Sequence, residues 1–272
     1  MDKELRNEKI IEEYLNGKST CKLAEEYNLC RSTISKILKK NNIKVRNNKI
    51  NSRKYYHNEN FFEVIDTEEK AYWLGFIYAD GYITINKGQY NFGISLSIND
   101  KEHLEKFKKS LNATNPINTY NGNGYTNNEY CRLLITSEKT VKDLIDKGVV
   151  LRKTNVLTFP SEQQVPKHLI HHFIRGYFDG DGCITSSMSN GYERYEVKFV
   201  GTYNMLDKIN NIINDNCNIK ISKLFKRKEY QEVFSLQYSS NKRSKVLYNY
   251  MYKNATIYLQ RKFNKFSRLM KK

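Results

Sequence analysis

Two nine-residue segments of this chain run in parallel, Trp73-Leu-Gly-Phe-Ile-Tyr-Ala-Asp-Gly81 and Ile174-Arg-Gly-Tyr-Phe-Asp-Gly-Asp-Gly182. They align without a gap, which places Asp80 and Asp181 101 residues apart. Each carries small residues one helical turn apart, Gly75 with Ala79 and Gly176 with Gly180. Glycine inside a helix costs roughly 0.5–1 kcal/mol relative to alanine. Close approach of two helix backbones, as in small-x-x-x-small contacts, offsets that cost. Each helix then ends in Asp-Gly, and Gly81 and Gly182 suit the left-handed position that stops a helix. The Asp side chains lie at the negative end of the helix dipole, a penalty of about 0.3–1 kcal/mol each. Two packed helices also bring the carboxylates together, which is unfavourable unless a cation lies between them. Oxygen-only ligation suits a hard divalent ion such as Mg²⁺, with Mn²⁺ or Ca²⁺ able to take the same place. An ion so held can activate water and stabilise the leaving oxygen of a phosphodiester. One Asp-Gly alone is more often plain capping; two, in register within a repeat and preceded by G-x-x-x-[AG], reverse that preference for the metal.

The elements that must position these groups repeat as well. The spacing predicts helix 68–80, strands 82–87 and 90–98, an amphipathic helix carrying Leu104, Phe107 and Leu111, strands 116–120 and 129–136, and helix 138–147. After a stretch bounded by Pro160 and Pro166 the order recurs. It runs helix 167–181, strands 183–188 and 194–201, helix 204–216, strands 219–228 and 232–239, helix 242–253, and a last helix over 258–270. A repeat of this length means two similar halves, here 63–160 and 161–272, rather than a solenoid. Alternation gives each sheet one apolar and one polar face. Phe92, Ile94, Leu96, Tyr195, Val197 and Phe199 face in. Asn91, Ser95, Ser97, Arg194, Glu196 and Lys198 face out, a pattern that ordinary solvent exposure also satisfies. The fold class is α+β.

Residues 1–47 read as a separate all-α unit. Ile10, Ile11, Tyr14 and Leu15 form one helix face, Gly17 ends that helix, and Ser19 caps the next. Ala24, a turn at Asn28-Leu29-Cys30 and Ile34 follow the pattern of a helix-turn-helix, whose second helix enters the major groove. A generic three-helix bundle has the same pattern. Residues 31–54 hold nine Lys or Arg and no acid, which favours the first reading. The outward Arg31, Ser32, Thr33 and Lys36 suit phosphates and base edges. Residues 48–62 read as a basic linker.

The 272 residues carry 46 Lys and Arg against 29 Asp and Glu, a net +17. Such an excess points to a polyanion. No apolar run approaches the roughly 18 residues that span a bilayer, and no amphipathic apolar face accompanies the basic segments. Five scattered cysteines without a C-x-x-C pair argue against a disulfide framework or a zinc site. His168, His171 and His172 have no neighbouring Cys or carboxylate in sequence to complete a metal site. The expectation is an intracellular protein whose partner is nucleic acid and not a membrane.

The paired segments resemble the two LAGLIDADG motifs of single-chain homing endonucleases, and the resemblance covers about residues 60–270. It implies two pseudo-symmetric αββαββα halves whose motif helices form the central interface through Gly75, Ala79, Gly176 and Gly180. Their sheets would form a saddle on double-stranded DNA, with the helix-turn-helix as an added module. By matching positions, Asp80 and Asp181 would be catalytic metal ligands, one for each strand. Lys153 and Lys262, in Arg-Lys pairs after the last helix of each half, would be the basic catalytic residues. Outward-facing Lys87, Gln89, Asn91, Ser95, Arg132, Arg194, Lys198, Lys226, Lys228 and Gln237 would contact DNA. Tyr78 stands where the first motif has its earlier Asp, while Asp179 keeps that residue and would add to a locally acidic centre. The implied function is site-specific, Mg²⁺-dependent double-strand cleavage by a monomer, encoded in an intron or free-standing. The alternative is a non-cleaving DNA-binding regulator or an RNA-splicing maturase on the same fold.

Overall fold

The computed structural model describes residues 3–43, 45, 54–122, 129–151, 155–228 and 231–271. The chain divides into two compact units, Met1–Tyr56 and His57–Lys272. In the first, helices α1 (Lys3–Leu15), α2 (Thr20–Glu26) and α3 (Arg31–Lys40) close around Ile10, Tyr14, Leu23, Ile34 and Leu38. Ser19 Oγ accepts from the Lys22 amide at 3.2 Å, so α2 is capped as its sequence predicts. Asn28 takes the turn at φ 48°, a conformation that asparagine tolerates better than most residues.

The second unit begins earlier than the expected boundary at residue 63. His57 Nε2 pairs with Thr140 Oγ1 at 2.9 Å, and Phe61 and Phe62 are buried. Residues 57–62 therefore belong to the second unit and not to a linker, because His57, Phe61 and Phe62 are buried in it and two adjacent aromatics bury more apolar surface than a spacer can leave in water. Of the rest of the expected basic linker, residues 48–53 lie outside the described residues.

Each half follows the αββαββα order. The first comprises α4 (Glu68–Asp80), β1 (Gly81–Asn86), β2 (Gln89–Ser97), α5 (Lys101–Ser110), β3 (Ile117–Tyr120), β4 (Tyr130–Thr136) and α6 (Glu138–Asp146). The second comprises α7 (Ile170–Asp181), β5 (Cys183–Ser189), β6 (Tyr192–Gly201), α8 (Tyr203–Cys217), β7 (Leu224–Lys228), β8 (Gln231–Ser239) and α9 (Asn241–Tyr252), with α10 (Gln260–Met270) appended. The two antiparallel sheets have matching orders, β1-β2-β4-β3 and β5-β6-β8-β7. Both hairpin tips, Lys87-Gly88 and Asn190-Gly191, have positive φ at both turn residues, the turn whose twist matches paired strands. The apolar faces of both sheets and the helices covering them share one continuous core.

One predicted strand is shorter than its sequence suggests. Residues 219–223 are not strand, because the Asn210 side chain occupies the Ser222 backbone, donating to its carbonyl at 2.7 Å and accepting from its amide at 3.1 Å.

Candidate active site

Helices α4 and α7 lie at the centre of the second unit. Nine consecutive residues of α4, Ala71 to Ala79, are buried, as expected of a helix enclosed on all sides. The glycines set the contact. A Cβ on Gly75 would fall on the Phe173 carbonyl oxygen, and a Cβ on Gly176 on the Tyr72 carbonyl oxygen. The contact is thus reciprocal, backbone against backbone, with neither position able to hold a side chain. At the carboxylate end, a Cβ on Gly180 would meet Ala79 Cβ and stand 3.1 Å from Asp80 Oδ2.

Arg175 closes the opposite stretch of the interface. Fully buried, it donates to the carbonyls of Ile257 (3.0 Å) and Met251 (2.8 Å) and to Glu68 Oε1 (2.7 Å), and lies over the Tyr72 ring. A buried guanidinium with several acceptors and a carboxylate is fully compensated. Its removal would leave Glu68 without its charge partner, though still held by the Thr256 amide, and would leave the two carbonyls without this donor.

Asp80 and Asp181 are the last residues of α4 and α7. Asp80 is half-buried and Asp181 exposed. Asp181 also borders a cleft of about 240 Å³ lined by Tyr78, Leu157, Tyr177 and Thr202. Gly81 and Gly182 do not take the left-handed conformation expected of them; their φ values are −75° and −92°. They are glycines for a steric reason, since a Cβ would meet the Ile77 or Phe178 side chain and carbonyl. The chain can therefore pass straight from each helix into the first strand of its sheet.

Lys262 answers the electrostatic problem of these helix ends. Its side chain is buried, and Nζ donates to the carbonyls of Phe178, Asp179, Gly180 and Gly182 at 2.7, 2.7, 3.1 and 2.5 Å. An ammonium thus covers the negative terminus of α7, beside Asp181. Burial lowers its pKa to about 8, while the charges of Asp179 and Asp80 act in the opposite direction. Lys153, its expected counterpart, lies outside the described residues.

Asp179 does not join the acidic centre. It is buried, with Tyr72 donating to Oδ2 at 2.8 Å, Tyr252 to Oδ1 at 2.5 Å and the Leu259 amide to Oδ2 at 2.7 Å. Burial raises its pKa against the opposing pull of Lys262 and these donors. Two residues before the helix end, an α-helix has turned by more than half a revolution, so Asp179 points into the core while Asp181 points out. Tyr78, at the equivalent place, donates to the Lys147 carbonyl at 2.6 Å.

The polar sheet faces hold most of the other expected residues. Register sets Ser95 beside Arg132 and Asn91 beside Thr136 in the first sheet, and Lys198 beside Gln237 in the second. Thr136 Oγ1 donates to Asn91 Oδ1 at 2.7 Å. Lys87 and Gln89 stand at the β1–β2 tip, and Arg194 is exposed near the other tip. Lys198 Nζ lies 3.6 Å from Glu196. Lys226 departs from expectation: it pairs with Phe234 and so shares the face of Leu224 and Leu236, not the polar one. It binds Glu232 at 2.8 Å at the sheet edge. The Lys228 side chain lies outside the described residues. In the first unit, Arg31 and Lys36 are exposed, whereas the Ser32 and Thr33 hydroxyls sit 3.0 and 2.8 Å from Cys30 Sγ. Those contacts lower the thiol pKa to about 7.

Sequence reasoning missed an aromatic group on the first sheet. Tyr120 and Tyr130 stack at 5.2 Å, and the Arg132 guanidinium lies 5.1, 5.6 and 5.9 Å from the ring centres of Tyr120, Tyr130 and Tyr82. Gly93, in the middle of β2, was the available signal. Glycine inside a strand marks the close passage of another group, and here a Cβ would strike the Tyr82 ring at 2.6 Å.

Duplicated αββαββα halves, joined through glycine-paired helices that end in carboxylates, define a LAGLIDADG-type architecture. Residues 67–147, which run from the cap of α4 through α6, match the family described as LAGLIDADG-like domain. Over 177 residues it is 26% identical to the uncharacterized protein MJ0314 of Methanocaldococcus jannaschii, covering 64% of this chain and 63% of that one. The chain thus spans less than two thirds of that relative's length. The homing endonuclease I-WcaI bound to its DNA recognition sequence superposes with a TM-score of 0.55 at 13% identity, covering 75% of this chain and 91% of that one. The LAGLIDADG homing endonuclease I-LtrWI bound to target DNA gives 0.50 at 14%, covering 78% and 89%. About three quarters of the chain therefore has the LAGLIDADG homing endonuclease fold.

Proposed function

We propose that this chain is a site-specific DNA endonuclease that cuts both strands of a duplex laid across its two sheets. The observation that carries this reading is the pairing of α4 and α7 through Gly75, Gly176 and Gly180, which delivers Asp80 and Asp181 to one end of the interface. Among the described residues no group of three or more His, Cys, Asp or Glu is available to a metal. Two carboxylates fit a hard ion that keeps water and takes its remaining oxygens from a phosphate, as Mg²⁺ does. Asp80 and Asp181 would hold such an ion, which when bound polarises the phosphodiester and lowers the pKa of water.

The protein's own groups set the geometry around that centre. Gly180 lets the Asp80 carboxylate approach α7 closely. Lys262 ties down the last carbonyls of α7, so Asp181 is presented from a fixed helix end, and the buried ammonium attracts the Asp80 charge. The polar sheet faces, with Arg132, Arg194, Lys198 and Gln237, lie along the DNA, and the first unit adds a helix-turn-helix contact through Arg31 and Lys36. Association of this kind is driven by phosphate neutralisation and counterion release, in keeping with the net +17.

The test is cleavage of a randomised duplex library in Mg²⁺, with the ends sequenced. Asp80→Asn and Asp181→Asn should each lose double-strand cleavage by about 100-fold or more while still retaining duplexes on a filter; loss of a group that positions developing charge has effects of that order. Undiminished cleavage by either variant would sink the proposal. Retention of duplexes without cleavage by the unaltered chain would replace it with a binding-only role.

A further inference from the structure

The Arg132 cluster is organised beyond what a solvent-facing arginine requires. β4 is an interior strand of its sheet, so Arg132 stands on the middle of the polar face and not at its rim. Its Nε donates to Ser95 Oγ across the strand pair at 3.0 Å. Tyr120 and Tyr130 flank the guanidinium, and Tyr82 reaches it from β1 by crossing the side-chain gap at Gly93. The plane of the group is thereby fixed by one hydrogen bond and three rings, which removes much of the rotamer freedom an arginine loses on binding. Both Nη groups are left over: among the described residues no carboxylate pairs with Arg132. On the second sheet the bases are differently placed, since Lys198 has Glu196 beside it and Lys226 has Glu232.

We propose that Arg132 is a specificity-determining residue that reads one guanine in the major groove, its Nη fork donating to O6 and N7. This rests on the DNA-binding reading above and adds to it the base and the atoms recognised. A fork with fixed orientation, an unpaired donor edge and a position at the centre of the face matches the two adjacent acceptors that only guanine presents there. A phosphate-neutralising arginine needs none of these: a mobile side chain at the rim serves as well, because phosphate contacts carry no sequence information. Tyr82, Tyr120 and Tyr130 are positioning residues for the fork, and Gly93 is the opening through which Tyr82 reaches it.

The experiment selects randomised duplexes for binding by the full chain in metal-free buffer, so that cleavage does not deplete them, and repeats the selection with three variants. The unaltered chain should enrich a site with guanine at a position that Arg132→Ala no longer specifies. On the enriched site Arg132→Ala should bind about 10- to 100-fold more weakly, the range of one bidentate base contact. Arg132→Lys, which keeps the charge and the fold, should retain the salt dependence yet lose the same guanine. Tyr82→Leu should lower the guanine preference by about 2- to 5-fold with Arg132 intact. The proposal is overturned if Arg132→Ala weakens all duplexes equally with a salt slope shallower by about one, the signature of a phosphate contact. It is equally overturned if Arg132→Lys restores the guanine. Enrichment of no duplex by the unaltered chain is a different failure, that of the DNA-binding reading itself.

Discussion

His103 shows how single side chains are tied into the interface beneath the carboxylates. Tyr72 has one hydroxyl proton, and the buried Asp179 carboxylate takes it. Tyr72 oxygen must then accept from His103 Nε2, 2.9 Å away, which assigns the Nε2–H tautomer and leaves Nδ1 a buried acceptor without a partner among the described residues. Packed against Trp73 and Phe76, the ring resists a charge, and burial lowers its pKa to about 3 from 6.5. The unfolded chain therefore takes up a proton near pH 6.5 that the folded chain refuses until about pH 3. Stability from this group is whole above pH 6.5 and declines as pH falls through that window, by up to about 1.4 kcal/mol per pH unit. Urea unfolding at pH 7, 6 and 5 should show a shallower acid decline for His103→Phe than for the unaltered chain. Parallel declines would mean that the ring is protonated in the folded state.

At the scale of elements, the α4–α7 contact separates two roles for glycine. Gly176 meets the Tyr72 carbonyl midway along the interface, where added volume has no direction in which to relax. Gly176→Ala should cost about 3 kcal/mol in unfolding free energy, at the upper end for overpacking. A Cβ on Gly180 would clash with Ala79 Cβ and stand 3.1 Å from the Asp80 carboxylate, at the end of the interface that carries the two aspartates. Gly180→Ala should also lower the unfolding midpoint, because Ala79 Cβ is fixed to its backbone, and should in addition lose DNA cleavage disproportionately to DNA binding, because Asp80 must move with it. Equal tolerance of both changes would show that the helix ends are not held at fixed separation. The small-residue spacing, the Asp-Gly ends and the strand alternation were legible in the sequence because each is a periodic signal. The inward turn of Asp179, the sequestered Lys262 ammonium and the Tyr82–Arg132 contact were not, since each depends on which side chain crosses to another element. Lys226 marks the same limit: starting β7 at residue 224 rather than 219, and pairing it with Phe234, is a tertiary outcome set partly by Asn210.

At the scale of the whole molecule, the proposed binding of DNA would draw on charge in both units. Residues 1–56 hold 14 Lys or Arg against 7 Asp or Glu, and residues 57–272 hold 32 against 22. Both units therefore attract phosphate, but they have separate cores: Ile10, Tyr14, Leu23, Ile34 and Leu38 in the first, and the sheet and helix residues in the second. The carboxylates, the glycine interface and both sheets belong to residues 57–272, so this portion should fold alone and carry the proposed DNA cleavage. What it should lose is reach along the duplex. Each phosphate neutralised by the protein adds about 0.9 to the slope of log affinity against log salt, so removal of residues 1–56 should make that slope shallower by the same amount for every phosphate the first unit covers. Titrations of both forms on one enriched duplex between about 50 and 200 mM salt, with slope and cleavage measured together, check this. An unchanged slope would mean that the first unit is not on the DNA. Cleavage abolished at every salt concentration would mean that it does more than hold on, since low salt restores affinity but not missing catalytic geometry.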